Sequence, residues 1–265
     1  MADDIRLYLF EGGTVHLPEK NHILGGGENF ITTPITWSVL VHPRGNVIID
    51  GGNAPEVAVD ARRHWGRILD ISRVVMTPDQ AVLPGLERIG VDPESIRWVV
   101  QSHLHNDHTG AVAVIDRLPN AQVLATRTEF TWAQAPEGFV AMGYCPADYV
   151  KDGIDWFLLE DGDDGFDLFG DGVLTCWFTP GHTPGHMSLL VRMPSERAYL
   201  LTVDAANTID HLEERLIPGF NLMPKEAGRS LKRLRYLAWR EQATVIPGHD
   251  PDLWPTLKQA PEFYD

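Results

Sequence analysis

Between Gln101 and Gly110 the chain reads Gln-Ser-His-Leu-His-Asn-Asp-His-Thr-Gly, which gathers His103, His105, Asp107 and His108 within six positions. The preceding residues, Arg97-Trp-Val-Val-Gln101, predict a buried strand, and side chains two apart leave a strand on the same side. His103 and His105 therefore converge. The apolar run Ala111 to Leu118 predicts a helix start, so Asp107 and His108 approach the same point from the other side. This density of imidazole and carboxylate is metal-ligand chemistry, and it calls for a fold in which other segments deliver the remaining ligands.

Such segments recur at predicted strand ends. After Leu174 to Phe178 comes Thr-Pro-Gly-His-Thr-Pro-Gly-His, in which prolines and glycines fix a rigid turn holding His182, with His186 behind it. Ala198 to Val203 ends in Asp204-Ala-Ala-Asn207, and Thr244 to Ile246 runs into Pro247-Gly-His249. A lone histidine after a strand is usually structural, but each of these gains weight from the cluster. One zinc takes about four ligands, and seven candidates suit two ions with one carboxylate between them, as in two-metal hydrolytic sites.

The 265 residues fit a single α/β domain, 1–265, with no linker-like change of composition. A net charge of -15 disfavours nucleic acid and anionic membrane surfaces as partners. No stretch approaches the ~20 apolar residues of a membrane span, and the acidic start Met1-Ala-Asp-Asp4 lacks the features of a secretory signal. A cytoplasmic location is expected. The two cysteines, Cys145 and Cys176, are too few for a disulfide framework and form no closely spaced metal pair; both are expected to be reduced.

Further along the chain, Ile5 to Phe10 predicts an opening strand that Glu11-Gly-Gly13 turns. Thr14 to Pro34, with Gly25-Gly-Gly27, reads as a long loop that either walls a pocket or packs on the surface, with Phe30 and Ile31 as substrate-facing candidates. Thr36 to His42 and Asn46 to Asp50 form a hairpin through Pro43-Arg-Gly45. Asp50, beside two glycines, either orients a ligand histidine from behind or simply forms a turn. Lys225 to Gln242 predicts a helix with Ala227, Leu231, Leu234 and Ala238 on one face. His16, His22, His42, His64 and His211 lack comparable context and read as ordinary residues.

The pattern Ser-His-Leu-His-Asn-Asp-His108, Thr-Pro-Gly-His182, Asp204 and Gly-His249 resembles the metallo-β-lactamase superfamily along the whole chain. Within it, Val47-Ile-Ile-Asp-Gly-Gly-Asn53, His64-Trp-Gly66, Leu201-Thr-Val-Asp-Ala205, Gly248-His-Asp-Pro251 and Ala260-Pro-Glu-Phe-Tyr264 are similar to the N-acyl homoserine lactonases and related γ-butyrolactonases. The resemblance implies a four-layer αβ/βα sandwich, two mixed sheets flanked by helices, with metals at one edge. It implies that His103, His105 and His182 bind one ion, that Asp107, His108 and His249 bind the other, and that Asp204 bridges. Nitrogen and carboxylate ligands favour zinc, with iron, cobalt or manganese as alternatives. The diiron oxygen-reducing branch places glutamate where His105 stands, so hydrolysis is the expected chemistry rather than redox work.

On that reading a hydroxide bridging two divalent ions opens a lactone, with Asp107 carrying the proton to the leaving alkoxide. The lactonases carry a tyrosine three residues after the bridging aspartate; this chain has Asn207, a shorter donor that cannot serve as an acid. Substrate choice is therefore expected to turn on Asn207. The alternatives are the same metal site acting on another cyclic ester or amide, a thioester or a phosphodiester, and an inactive metal-stabilised binding protein. The eight tryptophans and the apolar segment before Pro34 are compatible with a homodimer contact or with ordinary packing.

Overall fold

A computed structural model describes residues 5–160 and 165–265; the acidic start at residues 1–4 lies outside it. Seven strands form the first sheet: β1 (Arg6–Pro18), β2 (Phe30–Val41), β3 (Asn46–Ile49), β4 (Arg73–Val75), β5 (Ile96–Val100), β6 (Gln122–Thr126) and β7 (Trp156–Leu159), in the order β4-β1-β2-β3-β5-β6-β7. Five form the second: β8 (Phe166–Asp167), β9 (Leu174–Phe178), β10 (Met187–Arg192), β11 (Ala198–Val203) and β12 (Thr244–Pro247), in the order β12-β11-β10-β9-β8. Both sheets are mixed. Parallel pairing joins β3, β5, β6 and β7 in the first and β11 with β12 in the second, and the other pairs are antiparallel.

The layering follows from period-two alternation in strands apolar on both faces. In β3, Val47 and Ile49 face the second sheet, while Ile48 faces helices. In β11, Tyr199, Leu201 and Val203 face the first sheet, and Leu200 packs under the helix Pro224–Glu241 against Leu231, Leu234 and Leu237. The helix-sheet-sheet-helix order is the expected αβ/βα sandwich.

The first loop is different from expectation. β1 does not end at Gly12-Gly13; its register with β2 shifts between Glu11 and Thr14 and then continues from Thr14↔Pro34 to Pro18↔Phe30. The two glycines form a β-bulge rather than a turn, with Gly13 at φ 113. Most of the stretch read as a loop is therefore the far half of the β1–β2 hairpin, within the sheet, followed by a short helix, Glu19–His22. The helix after the His-rich motif is also shorter than expected, Gly110–Ala113 followed by a 3₁₀ turn, Ile115–Arg117.

Candidate active site

Every expected ligand leaves the carboxyl end of a strand. His103 and His105 follow β5, His182 follows β9, Asp204 follows β11 and His249 follows β12, so the cluster sits on the seam between the sheets. All are buried except Asp107, whose side chain is 17% exposed and turned toward a cleft.

The atoms fall into two groups. His103 Nε2 is 3.1 Å from His105 Nδ1, which is 2.8 Å from His182 Nε2. Asp107 lies 3.6 Å from His108 Nε2 through Oδ1 and 3.8 Å from His249 Nε2 through Oδ2. Asp204 stands between them, with Oδ2 3.2 Å from His182 Nε2 and Oδ1 3.3 Å from His108 Nε2 and 3.2 Å from His249 Nε2.

Outer hydrogen bonds fix which nitrogen points inward. His182 Nδ1 donates to the carbonyl of Phe220 at 2.7 Å, and His249 Nδ1 donates to the carbonyl of Pro34 at 2.7 Å. His108 Nδ1 meets Asp50 Oδ2 at 3.0 Å, and His103 Nδ1 meets Ser102 Oγ at 2.9 Å, a hydroxyl that itself donates to Asp50. Donation from one ring nitrogen leaves the other a lone pair aimed into the cluster.

A cation fits this donor set. Three inward imidazole nitrogens within 3.1 Å contacts cannot all be satisfied by the protons available to them, and His108 Nε2 and Asp204 Oδ1 are buried with no hydrogen-bond partner. Three triads here, His103/His105/His182, His103/His108/Asp204 and Asp107/His108/His249, have ligand atoms within 4.8 Å of one another. The electrostatics agree for Asp204, His103 and His105, whereas burial would lower His108 and His249 but the carboxylates of Asp204 and Asp107 raise both. Burial would raise Asp204, but the charges of His249, His108 and His182 hold its carboxyl well below the usual range. Burial and neighbouring imidazoles depress His103 and His105, keeping them neutral as ligands require.

Local backbone explains the placement. Asp50 adopts φ 64, and Gly51 at φ 128 lets the chain touch the motif helix, where an added Cβ would lie 2.2 Å from the Ala111 nitrogen. That contact sets Asp50 beside His108. Val203 takes φ 48, a rare conformation for a β-branched residue, immediately before Asp204. His186 accepts from the Asp204 N–H at 3.2 Å through Nε2, while its Nδ1 meets Thr179 Oγ1. Asp50 and His186 thus both hydrogen-bond members of the cluster from outside it.

Glu129 was not legible as a site residue in the sequence. It is fully buried and accepts from the Leu104 N–H at 3.0 Å, from Thr183 Oγ1 at 2.6 Å and from the Gly185 N–H at 3.2 Å. Burial raises its carboxyl above the ordinary value despite these donors. It joins the turn that carries His103 and His105 to the turn that carries His182.

The cleft beside the cluster has a polar end at Asp107, Asp204, Asn207 and His249 and an apolar wall of Val15, Leu17, Trp65, Ile68 and Ile71. Phe30 and Ile31 do not line it. Phe30 is 53% exposed and stacks on His16, because the hairpin extension pairs it with Pro18 rather than folding it over the site. Asn207 does line the cleft, but its Nδ2 donates to the His22 carbonyl at 3.3 Å and its buried Oδ1 has no partner.

Fold and cluster together define a metallo-hydrolase of known type: the family model of the metallo-beta-lactamase superfamily matches residues 31–249, and the chain belongs to that superfamily. It is 46% identical to N-acyl homoserine lactonase AttM of Rhizobium radiobacter over 98% of this chain and 99% of that protein. It is 26% identical to N-acyl homoserine lactonase AiiA of Bacillus thuringiensis subsp. kurstaki over 97% and 98%. An N-acyl homoserine lactone hydrolase solved with N-hexanoyl-L-homoserine at its catalytic metal centre shares the fold, with a TM-score of 0.85 at 23% identity over 98% of each chain.

Proposed function

We propose that this chain is a dinuclear metal-dependent hydrolase that opens lactone rings of the N-acyl homoserine lactone or γ-butyrolactone type. The observation that carries the reading is the Asp204 carboxylate, whose two oxygens face two separate sets of imidazoles. Full-length similarity to lactonases supports the substrate class. His103, His105 and His182 would hold one ion, Asp107, His108 and His249 the other, with Asp204 between them, and the all-nitrogen and oxygen donor set favours zinc.

Two divalent cations held by these residues would supply a water that ionises near neutral pH and an electrophile for the lactone carbonyl. Asp107, whose side chain is the most exposed of these, takes the proton on its carboxylate and returns it to the alkoxide as the ring opens. The apolar wall from Val15 to Ile71 receives the acyl chain and excludes water from it. Asn207, at the polar end of the cleft, hydrogen-bonds the substrate amide. Phe30 and Ile31 have no part in this pose.

The same reading takes residues 1–265 as one hydrolase domain located in the cytoplasm. No helix among the described residues is long and apolar enough to cross a membrane. A homodimer is the assembly to test, by sedimentation of the metal-loaded protein.

The deciding experiment incubates metal-loaded protein with N-hexanoyl homoserine lactone, γ-butyrolactone and an acyl thioester, following ring opening by chromatography and ion content by elemental analysis. Lactone turnover with at least two ions per chain is expected. Turnover of the thioester alone would end the lactonase reading, and one ion or none would end the dinuclear one.

A further inference from the structure

A second group of ligand-type side chains lies behind the apolar wall, assembled from residues far apart in sequence. His64 ends the helix Glu56–Trp65, Cys145 follows the 3₁₀ segment Gly138–Gly143, and Asp148 belongs to the short helix Pro146–Tyr149. His64 Nε2 lies 3.0 Å from Asp148 Oδ1 and 3.5 Å from Cys145 Sγ. One ligand atom from each of the three falls within 4.8 Å of the others. Asp148 and Cys145 are buried, and the His64 side chain keeps 11% of its surface exposed.

The two edges that meet at His64 Nε2 are close to those of a tetrahedral site, the nitrogen–oxygen one being about 0.3 Å short. A zinc ion with nitrogen and oxygen at about 2.0–2.1 Å and sulfur at about 2.3 Å places nitrogen and sulfur about 3.5 Å apart, and nitrogen and oxygen about 3.3 Å apart. The other Asp148 oxygen is already committed, accepting from Thr109 Oγ1 at 2.7 Å, which leaves Oδ1 directed at His64. Thiolate, imidazole and carboxylate together select zinc over magnesium or calcium.

We propose that His64, Cys145 and Asp148 form an auxiliary metal site, separate from the seam cluster, that takes one zinc-type cation with solvent as the fourth ligand on the exposed His64 side. The same neighbours that would hold a cation already hold a proton: the hydrogen bonds to Asp148 and Cys145 push His64 up to about 10 against its burial. Binding forms metal–nitrogen, metal–sulfur and metal–oxygen bonds and releases the imidazolium proton and the thiol proton to water.

The site has a structural consequence for the cleft. Trp65 and Gly143, which line it, stand next to His64 and two positions before Cys145. A cation here fastens the helix Glu56–Trp65 to the segment 144–149 and fixes that side of the wall.

Cobalt replacement tests this without relying on turnover. The seam cluster has only nitrogen and oxygen donors, so thiolate-to-cobalt charge transfer in the near ultraviolet reports this site alone; Cys176 is buried in the core between the sheets, its thiol pushed up to about 12 by burial. The full chain loaded with cobalt is expected to show the band and to carry one more ion than Cys145→Ser, which lacks the band. Asp148→Asn, with the thiol intact, is expected to weaken cobalt binding at this site at least tenfold. Absence of the band in the unsubstituted protein at saturating cobalt, or its persistence in Cys145→Ser, would overturn the proposal, whatever the ion count at the seam.

Discussion

Glu129 accepts the backbone N–H of Leu104 at 3.0 Å, and Leu104 is the residue between His103 and His105. The carboxylate therefore steadies the turn that carries two of the clustered histidines, and through Thr183 and Gly185 it also steadies the His182 turn. Glu129→Gln replaces one accepting oxygen with a donor facing other donors. A buried unsatisfied group costs about 2 kcal/mol, which lowers Tm by roughly 4–8 °C in a chain of this size. Calorimetry of the two proteins under identical metal loading checks this.

Asp204→Asn removes the charge between the two imidazole sets and turns one ligating oxygen into an N–H₂. Loss of an outer ligand support costs 10–100-fold in metal affinity, so removing this inner one is expected to lower activity by at least ~10²-fold. The loss should track bound ions in elemental analysis. Full ion content with unchanged turnover would refute the bridging role.

Asn207→Ala should discriminate between substrates. N-hexanoyl homoserine lactone carries an amide N–H and γ-butyrolactone does not. Loss of one hydrogen bond, about 1 kcal/mol or somewhat more, is expected to lower kcat/KM for the acyl homoserine lactone roughly tenfold and to leave γ-butyrolactone nearly unchanged. Equal losses on both would assign Asn207 to the ring rather than to the amide.

The apolar wall sets acyl-chain preference. Each buried methylene contributes ~0.8 kcal/mol, so Ile68→Asp is expected to raise KM for N-decanoyl homoserine lactone about tenfold more than for the N-hexanoyl substrate. Steady-state kinetics across a chain-length series reads this directly.

His64 gives a pH signature. Its proton is held up to about 10 in the folded chain against an ordinary 6.5. A raised value means that the stabilisation is fully present below about 6.5 and is lost as pH rises through about 10. The Tm difference between the unsubstituted protein and His64→Gln, measured with chelator so that no cation competes with the proton, should shrink across that window. A difference that grows with pH would contradict the pairing with Asp148.

The seam cluster was legible because its densest part, His103 to His108, is local in sequence and because glycine and proline beside His182 and His249 mark rigid strand ends. The sandwich was legible in the alternation of strands such as β3 and β11. Gly12-Gly13 misled because a bulge and a turn require the same backbone freedom, and only the pairing of Thr14 with Pro34 tells them apart. The cleft wall was missed because Ile68 and Ile71 lie in a segment without strong periodicity. His64 and Cys145 are ordinary residues until tertiary folding brings them together.

The seam position of the ligands has a further consequence for the unfolded chain. Neither Cys145 nor Cys176 is paired, so no covalent link restrains it. A cation gripping positions from 107 to 249 closes a very long loop, and loop-closure entropy grows with the logarithm of length. The two-metal centre would then act as the chain's substitute for a disulfide: a reversible crosslink between two sheets, strengthened by ion supply and dissolved by chelation, that sets how long the sandwich survives as well as what it can hydrolyse.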